Sequence, residues 1–198
     1  MVREKKVIAR TLIGLVGLGL LAIPILAVSM YGAASRDYLW TALRLAALEG
    51  FTLIFASIAL SAFRPLLVRT INPRSLHRLH VNTGAVGFFL AVAHAIMLLV
   101  VGLSGYARAF LWLGVVVLIV LVMAMATAVS RRRLQRTWRW IHRLNYLVFA
   151  AVLVHGFRLG SDFAAASWLK AWFLICAAVV VFGLVYRVMR LRTQRLTD

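Results

Sequence analysis

The sequence predicts an all-α integral membrane protein, a six-transmembrane-helix bundle with both termini cytoplasmic. Three observations carry that expectation. The 198 residues are 64% apolar and the mean hydropathy is +0.94, whereas a soluble domain is roughly half apolar. Six apolar runs lie at about 11–31, 39–63, 79–103, 110–129, 138–157 and 168–186, each long enough to cross ~30 Å of hydrocarbon. The basic residues alternate between connections. The N-terminus, loops 2–3 and 4–5 and the C-terminus carry 4, 4, 6 and 4 Lys or Arg, while the other loops hold only Arg36, Arg108, Arg158 and Lys170. Loops rich in Lys and Arg stay inside, so the expected location is the inner (plasma) membrane. The net charge of +18 then reads as topology and attraction to anionic lipid, with no nucleic-acid partner.

The first run, Thr11–Tyr31, follows a basic segment and contains Pro24. It exceeds the ~7–15 apolar residues of a signal peptide, so it is read as a spanning helix. Gly17-Leu-Gly19-Leu-Leu-Ala22 matches a dinucleotide fingerprint in form, but no strand precedes it. Small residues there serve helix packing instead.

The second run holds Arg44 and Glu49. Their spacing of five is not the favoured i,i+4, and an acid at mid-membrane depth points to proton uptake or a quinone site. Loop 2–3 carries Arg64, Arg69, Arg74 and Arg78 with Pro65 and Pro73, which suits a non-helical connection. The fourth run ends at the densest basic loop, Arg131 to Arg143.

The sixth run contains Cys176, the single cysteine, which excludes an internal disulfide and an iron–sulfur cluster. Trp and Tyr gather at the run ends, among them Tyr38, Tyr106, Trp112, Trp138, Trp140 and Trp168, as interfacial belts do.

The third and fifth runs hold four of the five histidines. His80 and His94 are 14 positions apart, and His142 and His155 are 13 apart. At ~1.5 Å per residue these spacings are about 21 and 20 Å. Both runs go from inside to outside, so His80 pairs with His142 near the cytoplasmic face and His94 with His155 further out. Two imidazoles at one level match the axial ligands of a six-coordinate haem iron. Zinc asks for three or four ligands, and a proton relay asks for acids that these runs lack. Two levels therefore imply two b haems, with the four histidines as iron ligands. A 14-step leaves side chains about 40° apart around a helix and a 13-step about 140°; the fifth helix must be distorted or present its histidines to different sides. His77, three residues before His80, is a competing ligand in the basic connection.

Arginines surround both levels. Arg74, Arg78, Arg139 and Arg143 are placed to pair with propionates near the first, and Arg158 near the second. Gly84, Gly87 and Gly156 would let a flat macrocycle approach the backbone. Phe88, Phe89 and Phe149 lie between the levels.

These residues carry a resemblance. His80-x3-Gly84-x9-His94, followed by Trp138-x3-His142-Arg143-Leu144-x-Tyr146 and His155, resembles the ferric reductase-like transmembrane domain. That superfamily includes the membrane domains of NADPH oxidases and ferric reductases and the haem subunit of the bacterial methionine sulfoxide reductase system. The spacings of 14 and 13 are those of the oxidase type. The His-Arg-Leu-x-Tyr segment looks more like the methionine sulfoxide reductase subunit, which typically lacks the first histidine of the third helix, here His80.

The resemblance implies that residues 1–198 form a single domain of this type. Its implied work is one-electron transfer through two haems to an extracytoplasmic acceptor, such as ferric iron, oxygen or a partner protein. No flavin or nicotinamide domain is expected after the sixth run, and the expected donor is a separate cytoplasmic flavin reductase (bearing FMN or FAD) or a membrane quinol. The chain is then an oxidoreductase membrane subunit that needs a dehydrogenase partner. One alternative is a single-haem subunit feeding a periplasmic methionine sulfoxide reductase. Another is a small non-redox transporter, although the inverted repeat common in transporters is not seen between the halves.

Overall fold

The structure, a computed structural model, describes residues 2–32, 38–102 and 107–197. Arg36 and Tyr106, placed above in the first and third connections, lie outside the described residues. Every element among the described residues is helical. In chain order these are α1 (Val2–Gly32), α2 (Tyr38–Ala62), α3 (Arg64–Leu67), α4 (Pro73–Val101) and α5 (Arg108–Val129). They continue with α6 (Arg131–Leu134), α7 (Thr137–Arg143), α8 (Asn145–Leu159), α9 (Ser161–Ala165) and α10 (Ser167–Thr197).

Five of these helices contain segments long and apolar enough to cross a membrane: Thr11–Met30, Tyr38–Ala62, Pro73–Val101, Arg108–Val129 and Ser167–Arg190. The outward faces are apolar, with Leu15, Leu18, Trp112, Val181 and Phe182 each more than half exposed except where helices meet. Water would not tolerate so continuous an apolar surface; lipid requires it. The chain is a multi-pass helical membrane protein.

The run expected at 138–157 is two helices. Leu144 separates α7 from α8, and its N–H bonds to the Ile141 carbonyl at 3.0 Å, the tighter i→i+3 closure of a 3₁₀ turn. The chain resumes as α8, where Val148 N–H bonds to the Leu144 carbonyl at 2.9 Å. At ~1.5 Å per residue neither piece alone spans ~30 Å.

The prolines of the second connection start helices where a non-helical loop was expected. Pro73 sits in the first turn of α4, and the Asn72 side chain accepts from Arg74 N–H at 2.9 Å. A proline there loses only an N–H that has no helical partner, and asparagine is a favoured cap. His77 and Arg78 therefore ride on α4 as exposed residues, with His77 one turn before His80. The basic segments at both ends are helical too, since α1 starts at Val2 and α10 runs to Thr197.

α2 is the central helix, packed most extensively against α4 and also against α1, α8 and α10. Its contact with α4 is close because glycines line it. A Cβ on Gly87 would stand 3.0 Å from the Ile54 backbone nitrogen and 3.1 Å from the Gly50 carbonyl oxygen, and one on Gly84 3.0 Å from Ser57 Oγ. Backbone cannot yield as a side chain can, so α2 sits where a macrocycle was expected to lie against these glycines. Gly156 likewise faces Phe163. Small residues are the means by which helices approach in lipid, where apolar burial gives no driving force.

The other side of α2 forms an aromatic core. Phe51 stacks on Phe173 of α10 at 3.9 Å between centroids and on Phe149 of α8 at 5.1 Å. Phe163 closes on Phe173 edge-on at 4.7 Å. Phe149 is thus core, while Phe89 points outward at 66% exposure.

Arg44 pairs across this core with Asp162 of α9. Its Nε donates to Asp162 Oδ1 at 2.9 Å and to Oδ2 at 3.2 Å, and a second guanidinium nitrogen also reaches Oδ1. Both residues are buried. Glu49, on the same helix, keeps Oε2 buried with no hydrogen-bond partner.

Candidate functional site

The four histidines stand on three helices, and the structure brings His80 and His142 together. His80 and His94 lie on unbroken α4, His142 near the end of α7, and His155 on α8. All four are partly buried. The His80 and His142 rings are in contact, with centroids 6.1 Å apart and planes at 88°. His94 and His155 are near enough for a charge on one to act on the other, without the ring contact of the first pair. Along α4 the two levels are about 21 Å apart.

Each histidine has its Nδ1 occupied. His80 Nδ1 lies 2.9 Å from the Ser57 carbonyl oxygen and 2.9 Å from Ser57 Oγ, whose hydroxyl donates to the His80 carbonyl at 3.0 Å. His94 Nδ1 lies 3.2 Å from the Leu43 carbonyl, and His155 Nδ1 2.8 Å from the Phe110 carbonyl. A carbonyl can only accept, so in these three rings the proton is on Nδ1. The lone pair is then on Nε2, and no hydrogen bond among the described residues reaches that atom. A metal-binding histidine is held in this way, one nitrogen anchored and the other free. His142 Nδ1 meets Asn145 Nδ2 at 3.3 Å.

The packing of α4 and α8 sets these directions. α2 lies so close to α4 that its Leu43 and Ser57 carbonyls reach imidazoles on the neighbouring helix. α5 does the same for α8. His155 lies on α5 at Gly114, where an added Cβ would stand 2.6 Å from the ring's Cε1. Phe110 and Gly114 are one turn apart, so one face of α5 both accepts the Nδ1–H and leaves room for the ring. The break at Leu144 answers the 13-residue spacing. His142 and His155 belong to separate helices, so no single rigid helix has to present both.

The donor set fits a haem iron better than an all-protein metal cage. Each level offers two imidazoles. Among the described residues no group of three or more His, Cys, Asp or Glu side chains converges as a metal cluster. Two imidazoles on one metal ion, each at a metal–nitrogen distance of about 2 Å, have centroids about 6 Å apart once half a ring is added on each side. The first pair stands at that separation.

The arginines expected at the levels are all exposed. Arg143 stacks over Trp140, 4.5 Å from the ring centroid, and Trp138 lies 5.7 Å from the His142 ring. Arg158 lies 5.3 Å over the Phe110 ring, whose backbone carbonyl anchors His155. Arg78 sits two residues before His80 on the outside of α4. Arg187 of α10 acts electrostatically on His142, a neighbour that the sequence did not point to.

Ser57, Gly114 and Asn145 are the other residues that sequence reasoning missed. Gly114 carried a readable signal, as the one small residue in the bulky run Phe110–Val122. Asn145 is the lone amide in an apolar stretch. Backbone carbonyls leave no trace in sequence. A scan against protein-family models matches none, and searches of the curated proteins and of the solved structures find no significant match.

Proposed function

We propose that this chain is a six-crossing electron-transfer subunit of the inner (plasma) membrane. It would carry two b haems, one held by His80 and His142 and one by His94 and His155. Electrons would pass from a cytoplasmic flavin reductase or quinol to an extracytoplasmic acceptor such as ferric iron, oxygen or a partner protein. The observation that carries the reading is the set of four partly buried imidazoles on α4, α7 and α8, three of them with Nδ1 fixed on a carbonyl and Nε2 left free. Buried histidines that serve only as packing would be expected to use both nitrogens.

In this reading α7 and α8 together make the fifth crossing, and both termini lie in the cytoplasm. When bound, haem supplies a one-electron couple at each level. The residues of the chain do the rest. Ser57 and Leu43 orient the imidazoles of α4. Phe110 and Gly114 orient His155. Arg78 and Arg143 at one level and Arg158 at the other offer positive charge to propionates, and the basic cytoplasmic segments offer it to an acidic donor protein.

Liposomes containing the purified, haem-loaded chain and loaded with ferricyanide test whether electrons cross the bilayer through it. Dithionite added outside is expected to bleach the trapped ferricyanide faster than in protein-free liposomes. A bleaching rate equal to that of protein-free liposomes would sink the proposal.

A further inference from the structure

Asn145 is where three observations meet. It opens α8 immediately after the break at Leu144. Its Nδ2 lies 3.3 Å from His142 Nδ1. Its Oδ1 is buried with no hydrogen-bond partner. A 3₁₀ turn eclipses side chains at i and i+3, so the break itself sets residue 145 over residue 142.

The oxygen and nitrogen of an amide are nearly the same size but opposite in role, one accepting and the other donating, so which of them faces the ring follows from the hydrogen bonding. With Nδ2 toward the ring, the amide donates to Nδ1. The imidazole proton is then on Nε2, which blocks ligation there. With the amide turned over, Oδ1 accepts from Nδ1–H and Nε2 keeps its lone pair. The fourth histidine then has the same protonation as the other three.

We infer that Asn145 is a positioning residue that holds His142 through an Nδ1–H···Oδ1 hydrogen bond and thereby sets its strength as a ligand. The other three histidines use backbone carbonyls, which no substitution removes. His80 has Ser57 Oγ beside its carbonyl, but His142 alone has a side chain and no carbonyl on Nδ1, so its half of the His80/His142 level is the one a point substitution can leave without an anchor. An acceptor on Nδ1–H makes the imidazole a better electron donor through Nε2 and favours the oxidised metal.

The inference rests on the haem reading, and the experiment separates the two. The full chain as purified is titrated optically beside Asn145→Asp and Asn145→Leu. The carboxylate is a stronger acceptor than the amide, and leucine is none. The potential of one haem is expected to fall in Asn145→Asp and rise in Asn145→Leu, with the second haem unmoved. Shifts in the same direction in both variants, or in neither, would overturn it, because altered packing has no reason to act with opposite signs.

If the native chain is colourless, the proposed function fails and the inference is read another way. Ring-nitrogen NMR of ¹⁵N-histidine-labelled chain, with His142 assigned by difference from His142→Gln, is expected to place the proton on Nδ1 in the native chain. In Asn145→Leu it should distribute over both nitrogens. A native His142 protonated on Nε2 would overturn the inference.

Discussion

A Gly114→Ala chain is expected to bind one haem where the proposed function gives the native chain two, with its helix content unchanged. The added Cβ would stand 2.6 Å from His155 Cε1 and 3.0 Å from Nδ1, closer than carbon atoms approach. The ring must leave, and with it goes the 2.8 Å bond to the Phe110 carbonyl. His155 then loses both its anchor and its direction, and the His94/His155 level is left with one oriented imidazole. The helix itself should gain, since alanine is about 1 kcal/mol better than glycine inside a helix. The substitution therefore separates site from scaffold. Gly17→Ala is the matched control, because nothing lies within 4 Å of that position. Haem quantitation alongside circular dichroism checks the outcome. A native haem content in Gly114→Ala would show that His155 is not held as described.

Removal of one partner of the Arg44–Asp162 pair is expected to cost about 3–5 kcal/mol, because the other charge is left buried and unpaired. Both side chains are under a tenth exposed, so solvent screening offers little relief. Arg44→Met and Asp162→Asn should each lower the unfolding temperature in detergent markedly. The double replacement Arg44→Met with Asp162→Leu should recover most of the loss, since an apolar pair of similar volume is often neutral or better. The single changes should also loosen the His94 level. Arg44 adjoins Leu43, whose carbonyl anchors His94, and the pair ties this part of α2 to α9. Single variants as stable as the native chain would show that the pair is solvated.

The helical membrane class was legible because it rests on bulk apolarity and run length, which one-dimensional sequence records directly. The pairing of His80 with His142 was legible for the same reason, since equal spacing on two apolar runs fixes equal depth. The break at Leu144 was not: Trp138–Phe157 contains no proline, and its one glycine lies near the far end, so nothing marks an interruption. Pro65 and Pro73 misled in the opposite sense. A proline marks a helix start as readily as a loop, and only the cap at Asn72 decides. Gly84 and Gly87 fit a flat cofactor or a neighbouring helix equally well on paper; which one occupies the space is a tertiary fact. Arg44 found its partner 118 residues away, a distance that no local charge rule covers.

The most direct measurement is the haem content and optical spectrum of the purified full chain, expressed with ample haem. A reducible b-type spectrum with a haem-to-protein ratio near two is expected, falling to a ratio near one when His94 or His155, or His80 or His142, is replaced by alanine. A colourless protein, or a haem content indifferent to all four histidines, would contradict the two-haem reading.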